Sequence, residues 1–266
     1  MGAAEKFACA VALAVFAGGA VGLILQRLLP DEFTTGPPRD MIGAVVGLLT
    51  LLSALVLGLL IWTAFGVYSG QNLAVQTLAA KVLQLDLALA DYGPEAAAGR
   101  ALVRQDLAKT IDAIWNADLS DGEFAAHSFA AAINNLRHKE GFLKSLDPST
   151  DEQKQALASA RQTIDSIGQS RLQMSFALYG AVSYPLVYVV VGWGVALFCG
   201  FGLMSKGNAM SVVALVFGAL AVASAIYIIL DLSSPYSGGL FRASPAPLQQ
   251  VLAQMSQGQG AVGGSR

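Results

Sequence analysis

The chain has 266 residues, of which 55% are hydrophobic and 13% charged, with a net charge of −2. Globular domains carry about 25% charged residues, so much of this chain faces something other than water, in line with its mean hydropathy of +0.56. Without a basic surplus, nucleic acid is not an expected partner. The two cysteines, Cys9 and Cys199, lie inside apolar runs and form neither a disulfide framework nor a metal-ligand spacing.

The first apolar run, Phe7–Leu25, follows Lys6 and so has the beginnings of a signal peptide. It continues past the usual core length with no clear cleavage site, and is expected to be a retained transmembrane helix. Lys6 also stands where a myristoylation site needs Ser or Thr. After "QRLLPDEFTTGPPRD" comes a second uncharged run, Met41–Tyr68, expected to extend inward through "SGQNLAV". Gly18 and Gly22 in the first run, and Gly43 and Gly47 in the second, are four apart and permit close helix contact, within one chain or between copies. Leu57, Ile61 and Phe65 in the second run are also spaced by four. They fit an apolar pore constriction, or an ordinary packing or lipid-facing stripe.

The middle segment reads as helices. Val75, Leu78, Val82, Leu85 and Leu89 alternate steps of three and four, a narrow helical stripe. "DYGPE" breaks it, with Gly93 suited to a helix C′ position and Pro94 to the first turn of the next helix. Val103, Leu107, Ile111 and Ile114 mark that helix. Capping boxes are expected at Ser120 to Glu123 and at Ser149 to Glu152. From Ser149 onward, Leu157, Ile164 and Ile167 keep helical spacing, and one long helix is expected to enter the third span with a kink near Pro185.

Two further uncharged runs follow, Leu172–Ser205 and Gly207–Leu230. All four runs reach the roughly 20 residues that cross a bilayer. The tail carries Leu248, Val251, Leu252 and Met255 on one face of a short helix, then a Gly-rich end expected to be disordered. Trp62, Trp193 and Tyr184 suit either membrane-interface anchors or packing aromatics.

These features predict an all-α integral membrane protein: four transmembrane helices as two hairpins, with a helical cytoplasmic stalk or bundle between them. The expected divisions are 1–72 for the first hairpin, 73–170 for the cytoplasmic helices, 171–231 for the second hairpin and 232–266 for the tail. Arg27, Arg39 and Lys206 lie in the two short connections, whereas the remaining Lys and Arg fall at the termini or in the middle segment. The positive-inside rule then predicts a multi-pass protein of the cell inner membrane with both termini cytoplasmic.

No enzyme constellation or cofactor motif is legible. His127 and His138 are eleven apart, which is not a metal-binding helix spacing, and "GFGLMSKGN" follows a membrane helix rather than a strand. The span centres carry no ionisable residue of the kind that coupled transporters use.

Four stretches in one order, "LVLGLLIWTA", "LDLALADYGPEAAAGR", "FGLMSKGNA" and "ILDLSSPYSGGLFRASPAPL", resemble the bacterial bestrophin-like membrane family. The resemblance runs from about Leu55 to Met255. It implies distant kinship to bestrophins, which are anion channels with four membrane helices and cytoplasmic termini, assembled as pentamers. "PYSG", with Pro235, Tyr236 and Gly238, is similar to the Pro-Phe-Gly turn that bestrophins carry after the last span, and Asp231 is the acidic residue ahead of it. Two departures stand out. No acid follows Asp231, so calcium gating there is not implied. The family pattern places an arginine where this chain has Leu87, leaving the partner of Asp86 or Asp91 to be supplied elsewhere. Asp231 itself suits hydrogen bonding to the turn, pairing with Arg242 or Arg171, or lining a cytoplasmic vestibule.

The resemblance implies a passive oligomeric ion channel or pore, anion-conducting as bestrophins are, with the second span lining it. The alternative reading is a non-conducting membrane scaffold whose cytoplasmic helical bundle binds a partner protein. Expected partners are the lipid bilayer, further copies of the chain (a pentamer by analogy) and, on the alternative reading, that cytoplasmic protein.

Overall fold

The computed structural model describes residues 3–30, 36–115, 127, 134, 141–178, 184–205, 207–237 and 239–263. The described residues form helices and connections with no strand: α1 (Ala3–Leu28), α2 (Pro37–Tyr92), a 3₁₀ turn (Pro94–Ala96), α3 (Ala97–Trp115), α4 (Asp151–Leu178), α5 (Tyr184–Met204), α6 (Ala209–Leu232) and α7 (Ala246–Gly263). Four of them, α1, α2, α5 and α6, are long and apolar enough to cross a membrane. The chain divides into two compact units, Met1–Gly66 with Val182–Ser233, and Val67–Ala181 with Ser234–Arg266.

In the first unit α1 packs along α5 and, less extensively, α6. Lipid tails are as apolar as leucine, so apolar surface alone does not choose partners for a membrane helix; close approach of small residues does. A Cβ on Gly18 would come within 2.6 Å of the Val195 carbonyl oxygen, and one on Gly22 would collide with the Cys199 carbonyl. Gly202 of α5 returns the contact against the Gly19 carbonyl. The ends are closed by polar groups. Arg39 Nη2 donates to Met204 O at 3.2 Å at the C-terminus of α5, and Asn208 Oδ1 accepts from Ser211 N at 2.9 Å at the start of α6.

α2 has 56 residues, well over twice the roughly 20 a span requires, so the helix continues past the second apolar run, through Ser69–Val75 and on to Tyr92. In the second unit the stripe Val75, Leu78, Val82, Leu85 and Leu89 is buried in one core with Val103, Leu107, Leu157, Ile164, Leu248 and Met255. Hydrogen bonds of Gln71 to Met174 O, Lys81 to Ser166 O and Gln153 to Tyr92 O run in opposite residue order, which makes α2 and α4 antiparallel. Gly93 sits at φ 120°, ψ −172°, a region open essentially to glycine alone, and Pro94 opens the next turn as expected.

The cap of α4 falls one residue later than the Ser149 to Glu152 spacing suggests. Thr150 Oγ1 accepts from Gln153 N at 3.2 Å, and Gln153 Oε1 accepts from Ser149 N at 2.9 Å. With Asp151 as the first helical residue, the third position is Gln153, and glutamine closes a capping box as glutamate does. The last helix is longer than expected: α7 runs 18 residues to Gly263. Glycine costs about 1 kcal/mol in a helix, a cost that Leu248, Val251 and Met255, anchored in the core, help to offset. Residues 179–183, on which the expected continuity of α4 with α5 rests, lie outside the described residues, as do the Ser120–Glu123 cap, His138, Lys206 and Gly238.

Candidate functional site

Steps of four residues in an α-helix advance about 40° beyond a full turn, so a stripe at that spacing winds around the helix. On α2 the buried side carries Val46, Ser53, Leu60 and Ala64. Leu57 lies at its border, half-buried. Ile61 and Phe65 turn progressively away from it and are 36% and 50% exposed. The three side chains therefore do not form part of the packing of a single copy to equal degree; they leave it one by one. Ser53, one turn before Leu57, holds a buried hydroxyl with no hydrogen-bond partner. Gly43 faces Met204, with Cε 3.2 Å from a notional Cβ, whereas a Cβ on Gly47 would meet nothing within 4 Å.

Asp231 lies in the last turn of α6 and is 3% exposed. The helix ends one residue on, where the Ser233 hydroxyl donates back to Ile229 O. In the second unit, Pro235 and Tyr236 are fully buried. Tyr236 OH donates to Gln71 Oε1 at 3.1 Å, and Gln71 Nε2 donates to Met174 O at 3.2 Å. The Tyr236 ring meets Trp115 edge-on at 6.0 Å. Trp115 Nε1 donates to Ala243 O at 2.7 Å, Ala243 N donates to Pro235 O at 2.9 Å, and Arg242 Nη2 donates to Trp115 O. The turn is thus a clasp: one tyrosine ties the tail to α2, α2 to α4, and the end of α3 closes over it. Buried amide and hydroxyl groups are costly unless paired, and Gln71 uses both its donor and its acceptor here.

Among the described residues of the second unit, Asp86 and Arg171 are buried charges with partly buried partners. Arg100 of α3 holds Asp86 of α2 in a two-pronged pair, with Nε to Oδ1 and Nη2 to Oδ2 both at 2.8 Å. That pairing raises the affinity of the guanidinium for its proton, against the opposing effect of burial. The arginine expected at position 87 is replaced by one thirteen residues later on the neighbouring helix. Arg171 lies 3.6 Å from Asp106 and donates to Thr110 Oγ1 at 3.4 Å. Burial lowers its pKa and Asp106 partly restores it. Gln71 and Arg100 were not foreseen as site residues. Gln71 carried one signal, a polar residue on the extrapolated core stripe four before Val75.

Over residues 11–248 the chain matches the family described as Bestrophin-like domain. No curated protein matches it, and no solved structure does.

Proposed function

As the chain belongs to the Bestrophin-like domain family, we propose that it is a passive, oligomeric ion channel whose pore is lined by α2. The observation that carries this reading is how little of α2 one copy covers. In its most apolar window 17% of residues are buried, against 28–39% in the other three spans. Such a face must meet lipid or other copies, and in a ring of copies it is the face available to an axial pore. Leu57, Ile61 and Phe65 then form an apolar constriction that gates by dewetting. The open Gly47 is free to serve contact between copies. The distribution of lysine and arginine supports cytoplasmic termini in a cell inner membrane. A buried acid at the end of the last span, Asp231, repels anions by Coulomb interaction, so chloride and potassium are both to be tested.

The test is ion flux through purified protein in liposomes under separate chloride and potassium gradients, with empty liposomes as control. Flux is expected in one gradient and is expected to change in Phe65→Ala. Silence in both, from protein shown to be folded and inserted, would favour the scaffold that binds a cytoplasmic protein instead.

A further inference from the structure

A cavity of about 320 Å³ opens among α2, α3 and α4, inside the second unit. Its floor is apolar core: Leu89 of α2, Val103 of α3, Leu143 and Ile164 of α4 all line it and are 2–5% exposed. Phe142 makes one wall, its ring seated on the bare backbone of α3, where a Cβ on Gly99 would collide with it. Asp106 and Lys109, one turn apart on α3, give the cavity a charged end. The two are not equivalent. Asp106 is engaged by Arg171, whose Nη2 lies 3.6 Å from its carboxylate, whereas Lys109 is exposed and has no hydrogen bond or ion pair among the described residues. Arg171 is itself poorly served. It is 7% exposed, its hydrogen bond to Thr110 Oγ1 is stretched to 3.4 Å, and its buried Nε has no partner. Among the described residues, two cations against one acid leave this end of the cavity net positive.

We propose that this cavity is a binding site for a small amphipathic anion, with an apolar body against Leu89, Val103 and Ile164 and an anionic head on Lys109. Its volume is near the lower end of the roughly 300–1,000 Å³ usual for small-molecule sites, which suits one such molecule and not a peptide segment or a two-chain lipid. An apolar lining with a few placed polar groups is how such sites fix a ligand's orientation. The sign of the head follows from the pairing already made. A cationic head would compete with Arg171 for Asp106 and be repelled by Lys109. An anionic head meets a lysine whose three donors are free, and it adds a counter-charge near a buried guanidinium that Asp106 offsets only in part. The cavity lies wholly in the second unit, so the proposal stands whether or not the chain conducts.

Three molecules with one apolar body and different heads test this: phenylbutyrate, phenylbutanol and phenylbutylamine. Each is titrated by calorimetry into the full-length protein in lipid nanodiscs, with empty nanodiscs as control. Phenylbutyrate is expected to bind saturably and more tightly than the alcohol or the amine. Lys109→Gln, at an exposed position, is expected to weaken it roughly tenfold, the usual effect of losing a hydrogen bond to a charged group. Leu102→Trp is expected to abolish binding by filling the mouth, since Leu102 lines the cavity and is 52% exposed. Both variants change exposed side chains and leave the core intact, so loss of binding is read from folded protein. Saturable binding by none of the three, or binding of phenylbutyrate that neither variant alters, would overturn the site. Equal binding of all three heads, or a preference for the amine, would overturn the anionic assignment.

Discussion

The pair Asp86–Arg100 shows how a single residue's role is settled by its neighbours. Asp86 is 4% exposed, and a buried carboxylate without a partner is among the most costly groups a fold can hold. Arg100 removes that cost with two charge-assisted bonds. Its side chain stays 19% exposed, so screening trims the effect below that of a fully buried pair. Arg100→Ala is expected to destabilise the second unit by about 2 kcal/mol, read as a lowered thermal midpoint in detergent. Asp86→Leu combined with Arg100→Leu should recover most of that loss, because no charge is then left buried. Equal losses in the single and the double variants would show that the pair is not what matters at this position. The sequence made Asp86 conspicuous but could not name Arg100, which sits on another helix.

At the scale of elements, glycine spacing and glycine use part company. Gly22 and Gly47 have the same kind of i, i+4 partner in the sequence, yet Gly22 abuts the Cys199 carbonyl and Gly47 abuts nothing in the same copy. Gly22→Ala should force α1 off α5 and cost about 1–3 kcal/mol, the usual penalty of overpacking. Gly47→Ala should leave that packing intact and favour the helix by about 1 kcal/mol. Thermal unfolding of the two variants, side by side, separates these outcomes; similar midpoints would mean that α1 and α5 do not approach as described. The same limit applies to α4. Its capping chemistry was legible, but two overlapping frames, Ser149 with Glu152 and Thr150 with Gln153, satisfy the same pattern. Only the position of the first helical residue chooses between them.

For the whole molecule, the second unit is closed by the C-terminal segment. Tyr236, Ala243, Leu248, Val251 and Met255 all belong to its core, and Trp115 donates its indole N–H to Ala243 O. A chain ending at Leu232 loses these together, exposing the α3 face that carries Leu107, Ile111 and Trp115. Such a truncation is expected to raise hydrogen exchange across residues 97–115 and 151–178 while the spans still insert. Unchanged protection there would mean that the tail is an accessory. Of the candidate site, the turn was legible through its motif and Asp231 through its place after an apolar run. The Gln71–Tyr236 bond was not, because it joins residues 165 positions apart.

The sequence by itself determined what contiguous residues control. Uncharged length gave the four spans, 3.6-residue periodicity gave the buried stripes from Val75 to Leu89, and the φ limits of Gly93 and Pro94 placed the break between helices. Tertiary structure decided which surfaces meet. Along an all-apolar span, hydrophobicity is the same on every face and names no partner. That α1 packs on α5 rather than being fixed by its neighbour in the chain, that Arg100 answers Asp86, and that Tyr236 finds Gln71 all depend on fit between distant residues. Close approach and the need to pair every buried polar group make those choices, and neither can be read along one strand of sequence.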